Sequence, residues 1–172
     1  IVSDPRVKTP TVELVAQFEA ALRVRDRIND VVEGAQRIED IQAQVDARVK
    51  MAGSQADKAA TKRVGDVGKA LRGKLEAIRA ELYEVGCHTN QCTLDQPVKL
   101  YNMLISLNYQ VQVGDYAPTK QHGEIYIDLS GKAEVQLKTL QQVEEIDLRA
   151  FNKLLEELQL PSIFVPVKKV AS

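Results

Sequence analysis

The sequence contains no tryptophan, and aromatic residues make up only 5% of its 172 residues. Surfaces that bind nucleic acid by stacking need aromatic side chains beside basic ones. That scarcity and a formal net charge of −1 argue against a nucleic-acid partner. No apolar run approaches the ~18 residues of a membrane span, so no membrane segment is predicted. No signal peptide is recognisable, and because the first residue is Ile1, we expect a mature product, a fragment or a cloned domain.

Cysteine is also scarce, with two residues, Cys87 and Cys92, separated by four others. In an oxidising compartment they could close a small loop as a disulfide, and in a reducing one they would stay free thiols. His88 suggests a metal ligand beside them. Zinc normally takes four ligands, and three candidates within six residues are a poor match to known zinc spacings, so no metal site is predicted.

Helical periodicity dominates the rest of the chain, which is 44% hydrophobic and 27% charged. Apolar residues recur at steps of three and four, which places them on one side of a helix. The pattern predicts four helices, over residues 10–51, 54–85, 95–113 and 119–159. In the first helix the predicted buried stripe is Leu14, Phe18, Ala21, Ile28, Val32, Ala35, Ile38, Val45 and Val49.

The ends of these helices carry recognisable signals. Thr9 followed by Pro10 predicts the first start, and Ser54 with an acid three residues later predicts the second. Pro97 should fall in the first turn of the third helix. Thr119 is the cap candidate of the fourth helix, which Pro161 should end.

Four amphipathic helices joined by short loops predict an all-α fold, an antiparallel up-down-up-down four-helix bundle over residues 10–160. Two helices would be long, one intermediate and one short. Extended arms, 1–9 and 161–172, would flank the bundle, and the apolar tail Phe164–Val170 must fold back on it or dock elsewhere. The apolar stripe of the fourth helix is interrupted at Glu144.

Few residues are candidates for a catalytic or ligand-binding role. Glu144 and Glu145 are paired acids, but neighbours on a helix point in different directions and make a poor acid–base pair. His122 near Glu124 is a second candidate, which capping or solvent exposure would also explain. Arg25, on the predicted stripe, reads as a snorkelling or salt-bridged arginine. We therefore predict no catalytic residue and no cofactor.

Several short motifs are similar to those of a known family. Asp4-Pro5-Arg6-Val7 precedes a helix with Gln17-Phe18-Glu19, and Gly114-Asp115-Tyr116-Ala117-Pro118-Thr119 precedes one with Leu148-Arg149-Ala150-Phe151-Asn152. This arrangement resembles the C-terminal segment of large secreted bacterial proteins with sortilin-type β-propellers. Such proteins are often labelled BNR-repeat, glycosyl hydrolase or sialidase-like proteins.

The resemblance implies a non-catalytic helical C-terminal domain that serves as a structural or interaction module. Its partner would be the preceding β-rich domain of the same polypeptide, and other proteins could also bind. No catalytic residue carries over, because the propeller lies outside the chain. The resemblance also implies an extracellular or periplasmic location, which favours the disulfide between Cys87 and Cys92. The alternatives are a stand-alone helical adaptor that binds a protein and, third, a glycoside hydrolase activity in this chain.

Overall fold

A computed structural model of the chain describes residues 8–54, 57–83 and 97–165. Every regular element in these ranges is helical and none is a strand, which confirms the all-α prediction. The elements are α1 (Thr11–Gly53), α2 (Lys58–Leu82), α3 (Leu100–Gln112), α4 (Lys120–Val143), a π-helical turn (Glu144–Leu148) and α5 (Arg149–Glu157). Because α4, the π-turn and α5 follow without a break, the described residues form four helices, as predicted.

The chain folds as two compact units. Unit 1 comprises Ile1–Val32 and Leu82–Val135, and unit 2 comprises Glu33–Glu81 and Gln136–Ser172. The helices α1 and α4 each contribute one part to unit 1 and the other part to unit 2.

The core of unit 1 is built by the first part of α1, by the last residue of α2, by α3 and by the first part of α4. The buried positions of α3 follow steps of four, three and four, so they lie along one side of that helix. The buried apolar side chains are Ala20, Val24, Ile28, Val31, Leu82, Leu100, Leu104, Leu107, Val111, Leu129 and Ala133.

The core of unit 2 is built by the second half of α1, by α2 and by the end of α4 with α5. Phe151 is its largest fully buried side chain. The other buried apolar side chains are Ala35, Ile38, Ile41, Val45, Ala52, Ala60, Val64, Leu71, Leu75, Ile78, Leu140, Val143, Leu148, Leu154, Leu155 and Ile163.

The direction of the helices in unit 2 corrects the predicted topology. Lys74 of α2 pairs with Asp147, whereas Arg63, earlier in α2, pairs with Glu157, later in the chain. The second and fourth helices therefore run in opposite directions here, although an up-down-up-down bundle makes them parallel. In unit 1, Gln17 near the start of α1 donates to carbonyls at the end of α3, so the first and third helices run in opposite directions there, although an up-down-up-down bundle makes them parallel.

The predicted stripe of α1 was wrong at its first two turns. Phe18 is 61% exposed and Leu14 is also exposed, whereas Ala20 and Val24 are buried. Phe18 precedes Ala20 by two residues, which places the two side chains on nearly opposite sides of a helix. The core-facing stripe therefore begins later and on another face than the sequence pattern suggested.

Two helix starts also differ from the prediction. Asp57 caps α2, because its Oδ1 accepts hydrogen bonds from the backbone N–H groups of Ala59 at 2.9 Å and Ala60 at 3.1 Å. The predicted cap, Ser54, lies instead in the turn after α1. Helix α3 begins at Leu100, so Pro97 precedes the helix and is not part of its first turn.

The π-turn explains the interruption that the sequence shows at Glu144. Buried positions along α4 reach Val143, and the next one is Leu148, a step of five. An α-helix would carry those two side chains to different faces, and one π-turn with i→i+5 bonds accommodates the extra residue. Both apolar side chains therefore stay in the core, and Glu144 is left at its edge.

Helix α5 ends in a Schellman motif. The N–H of Leu160 donates to the carbonyl of Leu155 at 2.8 Å, and the N–H of Gln159 donates to that of Glu156 at 3.0 Å. Gln159 adopts a left-handed backbone with φ of 55°, a position that glycine usually occupies. Pro161 follows, as the sequence predicted for the helix end.

Two amide side chains then hold the chain after α5 against unit 2. Asn152 exchanges two hydrogen bonds with the backbone of Ile163, at 3.0 and 2.7 Å. Gln44 does the same with the backbone of Phe164, at 2.9 and 3.1 Å. The described part of the tail therefore folds back on the helices, while residues 166–170 lie outside the described residues.

Candidate functional site

The acids singled out in the sequence have separate partners. Glu144 is ion-paired with Arg37 of α1, and Glu145 accepts a hydrogen bond from Gln141 at 2.8 Å. The two carboxylates therefore share neither a proton nor a partner. This agrees with the expectation that adjacent acids on a helix point in different directions. Pairing between Arg37 and Glu144 could not be read from the sequence, because it depends on the register between two helices.

The Arg37–Glu144 ion pair joins a partly exposed cation to a largely buried carboxylate. The side chain of Glu144 is only 14% exposed, and that of Arg37 is 43% exposed. Glu144 Oε1 and Arg37 Nε are buried without a hydrogen-bond partner. Burial raises the pKa of Glu144 above its ordinary value, although the charge of Arg37 and its hydrogen bond act in the opposite direction.

The second candidate pair, His122 with Glu124, lies at the start of α4. The backbone N–H of His122 donates to Thr119 Oγ1 at 3.3 Å, and that of Thr119 donates to His122 Nδ1 at 3.4 Å. Glu124 pairs instead with Lys120 at 3.2 Å. The contacts support the capping interpretation of His122 and the prediction of Thr119 as a cap.

Of the other residues singled out in the sequence, the structure describes Arg25 but not the two cysteines and the histidine beside them. Arg25 is more than half exposed and pairs with Asp26 at 2.6 Å, so it is the salt-bridged arginine that the sequence suggested. Cys87, Cys92 and His88 lie outside the described residues. Within the described ranges, no group of three His, Cys, Asp or Glu side chains is placed to hold a metal ion.

A cleft of about 500 Å³ lies between α1 and α2 in unit 2. Its lining includes Val45, Val49 and three glycines of α2, whose missing side chains leave the space open. A methyl group on Gly68 would lie 2.9 Å from the side chain of Val49, whereas none would meet an atom within 4 Å at Gly65 or Gly73. Gly68 thus permits close helix packing, and the other two only widen the cleft.

Three of the four charged residues that line this cleft, all except Lys69, are in ion pairs. Arg72 pairs with Asp46 at 2.6 Å, and Glu76 pairs with Arg79 at 2.8 Å. A hydrogen bond from Arg79 lowers the pKa of Glu76, and one from Gln42 adds to the effect against the opposing influence of burial. Glu76 is therefore held as a carboxylate, which suits a structural ion pair better than proton transfer.

Exposed large apolar side chains are concentrated in unit 1, a feature that the sequence analysis missed. Among the described residues, unit 2 has four, Met51, Val67, Ile146 and Phe164. Unit 1 has twelve, Val12, Leu14, Val15, Phe18, Val98, Ile105, Tyr109, Val113, Tyr116, Ile125, Ile127 and Val135. Apolar surface of this kind commonly marks a contact with another protein.

The first two turns of α1 carry one part of this surface. Val12 is 73% exposed, and Val15 and Phe18 follow at steps of three, so neighbouring members lie one turn apart. Gln17, in the same stretch, donates to the carbonyls of Val111 at 2.9 Å and Gly114 at 2.7 Å. The apolar side chains are therefore displayed on a helix that is fixed to the rest of unit 1.

Comparison with known proteins gives no relative: no protein family, curated protein or solved structure matches the chain. Among the described helices, none combines the length and the apolar character that crossing a membrane would take.

Proposed function

We propose that this chain is a non-catalytic helical module that binds a protein partner through the apolar start of α1. The observation that carries the proposal is the exposure of Val12, Val15 and Phe18 on a helix anchored within unit 1. Covering these side chains would remove apolar surface from water, at about 25 cal/mol for each Å². Phe18 is the natural anchor, because aromatic side chains contribute strongly at interfaces.

The partner we propose is a sortilin-type β-propeller domain that precedes this chain in a secreted bacterial protein. Support comes from the resemblance of Asp4-Pro5-Arg6-Val7 and the later motifs to the C-terminal segments of such proteins. The apolar turns of α1 begin a few residues after this motif, so a preceding domain would be close to them in sequence. Any glycosidase activity would then belong to the propeller, and the location would be extracellular or periplasmic.

Titration calorimetry with that propeller domain tests the proposal. The Val15→Glu/Phe18→Glu variant should bind at least about tenfold more weakly than the wild type, because each charge would lose water at the contact. Val67→Glu, a change at an exposed apolar residue of unit 2, is the matched control and should bind normally. Equal binding by all three proteins would refute the proposed surface.

Enzyme assays test the non-catalytic part of the proposal. We expect the chain to release no product from glycosidase and sialidase substrates, because Glu144, Glu145 and Glu124 are each tied to another side chain. Turnover that is lost in Glu144→Gln and Glu145→Gln variants would instead support the hydrolase alternative.

A further inference from the structure

The tail segment, residues 161–164, is held in unit 2 through its backbone. Besides the bonds of the two amide side chains described above, Arg48 donates to the carbonyls of Pro161 at 2.6 Å and Ser162 at 3.3 Å. Each of the three side chains takes part in two such bonds, and every bond ends on a backbone N–H or C=O of the segment. These contacts would therefore be available to an extended peptide of another sequence.

The segment lies between two helices. Asn152 of α5 pairs with both backbone polar groups of Ile163, whereas Gln44 of α1 pairs with both of Phe164. In an extended chain the backbone groups of consecutive residues point to opposite sides, which is the alternation seen here. The second half of α1 and α5 therefore form a groove that fits an extended peptide.

One side chain of the segment is buried in this groove. Ile163 is only 5% exposed, whereas Phe164 is 71% exposed and the two residues before them are also exposed. Peptide-binding sites that add an extended strand work in this way, because main-chain hydrogen bonds give affinity and a pocket for an alternate side chain gives specificity. The groove thus has both parts of such a site.

The connection to the segment favours its release. Gln159, which leads into it, has a left-handed backbone with φ of 55°, a conformation that costs free energy for a residue with a Cβ atom. The bonds from Gln44 and Arg48 lie at exposed positions, where water can replace them. Departure of the segment would relieve the backbone and uncover one buried side chain, so a competing peptide can take its place.

We propose that the groove between α1 and α5 is a peptide-binding site that the tail segment occupies as an internal ligand. The external ligand is an extended segment of a partner protein with a branched apolar residue, isoleucine or valine, in the place of Ile163. This residue and the next must offer a free N–H and C=O to Asn152 and Gln44, which excludes proline at both positions. The inference is independent of the proposed function, because it uses unit 2 and a different surface.

Fluorescence anisotropy with a labelled peptide of the sequence of residues 159–165 tests the site. In the full chain, Ile163→Asp should release the segment, because a charge is disfavoured in the apolar pocket. This variant should bind the peptide at least about tenfold more tightly than the wild type, whose groove is free for only a small fraction of the time. Phe164→Asp, at the adjacent exposed position, is the matched control and should bind like the wild type.

Two further changes test how the peptide is held. Adding Asn152→Ala to Ile163→Asp should abolish binding, and so should a peptide in which aspartate replaces the isoleucine. Far-UV circular dichroism verifies that each variant is folded. Equal binding by the wild type and Ile163→Asp, or binding that Asn152→Ala leaves intact, would overturn the inference.

A measurement on the wild type keeps the test independent of how the variants fold. With the peptide at about 1 mM, the concentration range in which a tethered segment competes, the amide protons of Ile163 and Phe164 should exchange faster by NMR as the tail segment is displaced. Unchanged exchange would overturn the inference. A concentration-dependent dimer of the wild type that Asn152→Ala abolishes would also overturn it, because the ligand would then be the tail of a second copy.

Discussion

Removing the cation of the Arg37–Glu144 pair should destabilise the protein far more than removing the anion. Burial already raises the pKa of Glu144, so the carboxylate is held in unit 2 at a net cost that Arg37 only partly offsets. Arg37→Met keeps the unbranched stem and leaves a largely buried carboxylate without its cation. Glu144→Gln keeps the shape and removes the charge.

The structure sets the size of the effect. Removing one partner of a fully buried pair costs about 3–5 kcal/mol of unfolding free energy. Because Arg37 is 43% exposed, water near its position screens the remaining charge of Glu144. We therefore expect Arg37→Met to cost about 1–2 kcal/mol. Glu144→Gln should stay within about 0.5 kcal/mol of the wild type or be more stable. The double variant should recover most of the loss of Arg37→Met, because no buried charge remains.

Urea unfolding followed by circular dichroism measures these free energies. Repeating the measurement at several pH values is the control, because protonation removes the charge of Glu144. A folded-state pKa above the unfolded value means that stability from this group increases as the pH falls through the folded pKa. Arg37→Met should therefore recover relative to the wild type as the pH is lowered from neutral and Glu144 becomes protonated. If Glu144→Gln costs as much as Arg37→Met at neutral pH, the reasoning is refuted.

Four further substitutions test helix packing and the end of α5 by the same unfolding measurement. Gly73→Ala should stabilise the protein by about 1 kcal/mol, because alanine has the higher helix propensity. Gly68→Ala should gain less or lose stability, because its methyl group would press on Val49. Equal gains in the two variants would contradict this contact. Gln159→Gly should stabilise by about 1 kcal/mol by relieving the left-handed backbone, and a loss would argue against the Schellman motif. Asn152→Ala should cost about 1–2 kcal/mol and speed exchange of the Ile163 amide proton; unchanged exchange would contradict the tail contact.

The all-α class could be predicted because helical periodicity is a local property. Caps and stops are local too, and Thr119 and Pro161 were placed correctly, whereas Ser54 and Pro97 fell outside the helices because several nearby residues could start each helix. The π-turn left a signal too, the five-residue step between Val143 and Leu148. The pattern alone does not reveal it, because Glu144 fits a regular step of four after Leu140 and is then counted as an interrupted position of the stripe.

Topology and pairing could not be predicted because they depend on how distant helices pack. Short loops favour reversal at each connection, and that rule gave the wrong relative direction for α2 and α4. The apolar surface of α1 was missed for a related reason. Phe18 has the hydrophobicity of a core residue, and only the packed structure shows that Ala20, on nearly the opposite side, takes that place.

Hydrogen exchange measured by mass spectrometry on the proposed propeller-containing parent protein, compared with the isolated chain, tests the central claim most directly. If the start of α1 is the binding surface, the amides around Val12, Val15 and Phe18 should exchange more slowly in the parent protein, and those around Val67 should not change. Equal exchange at the start of α1 in the two proteins would contradict the proposed function.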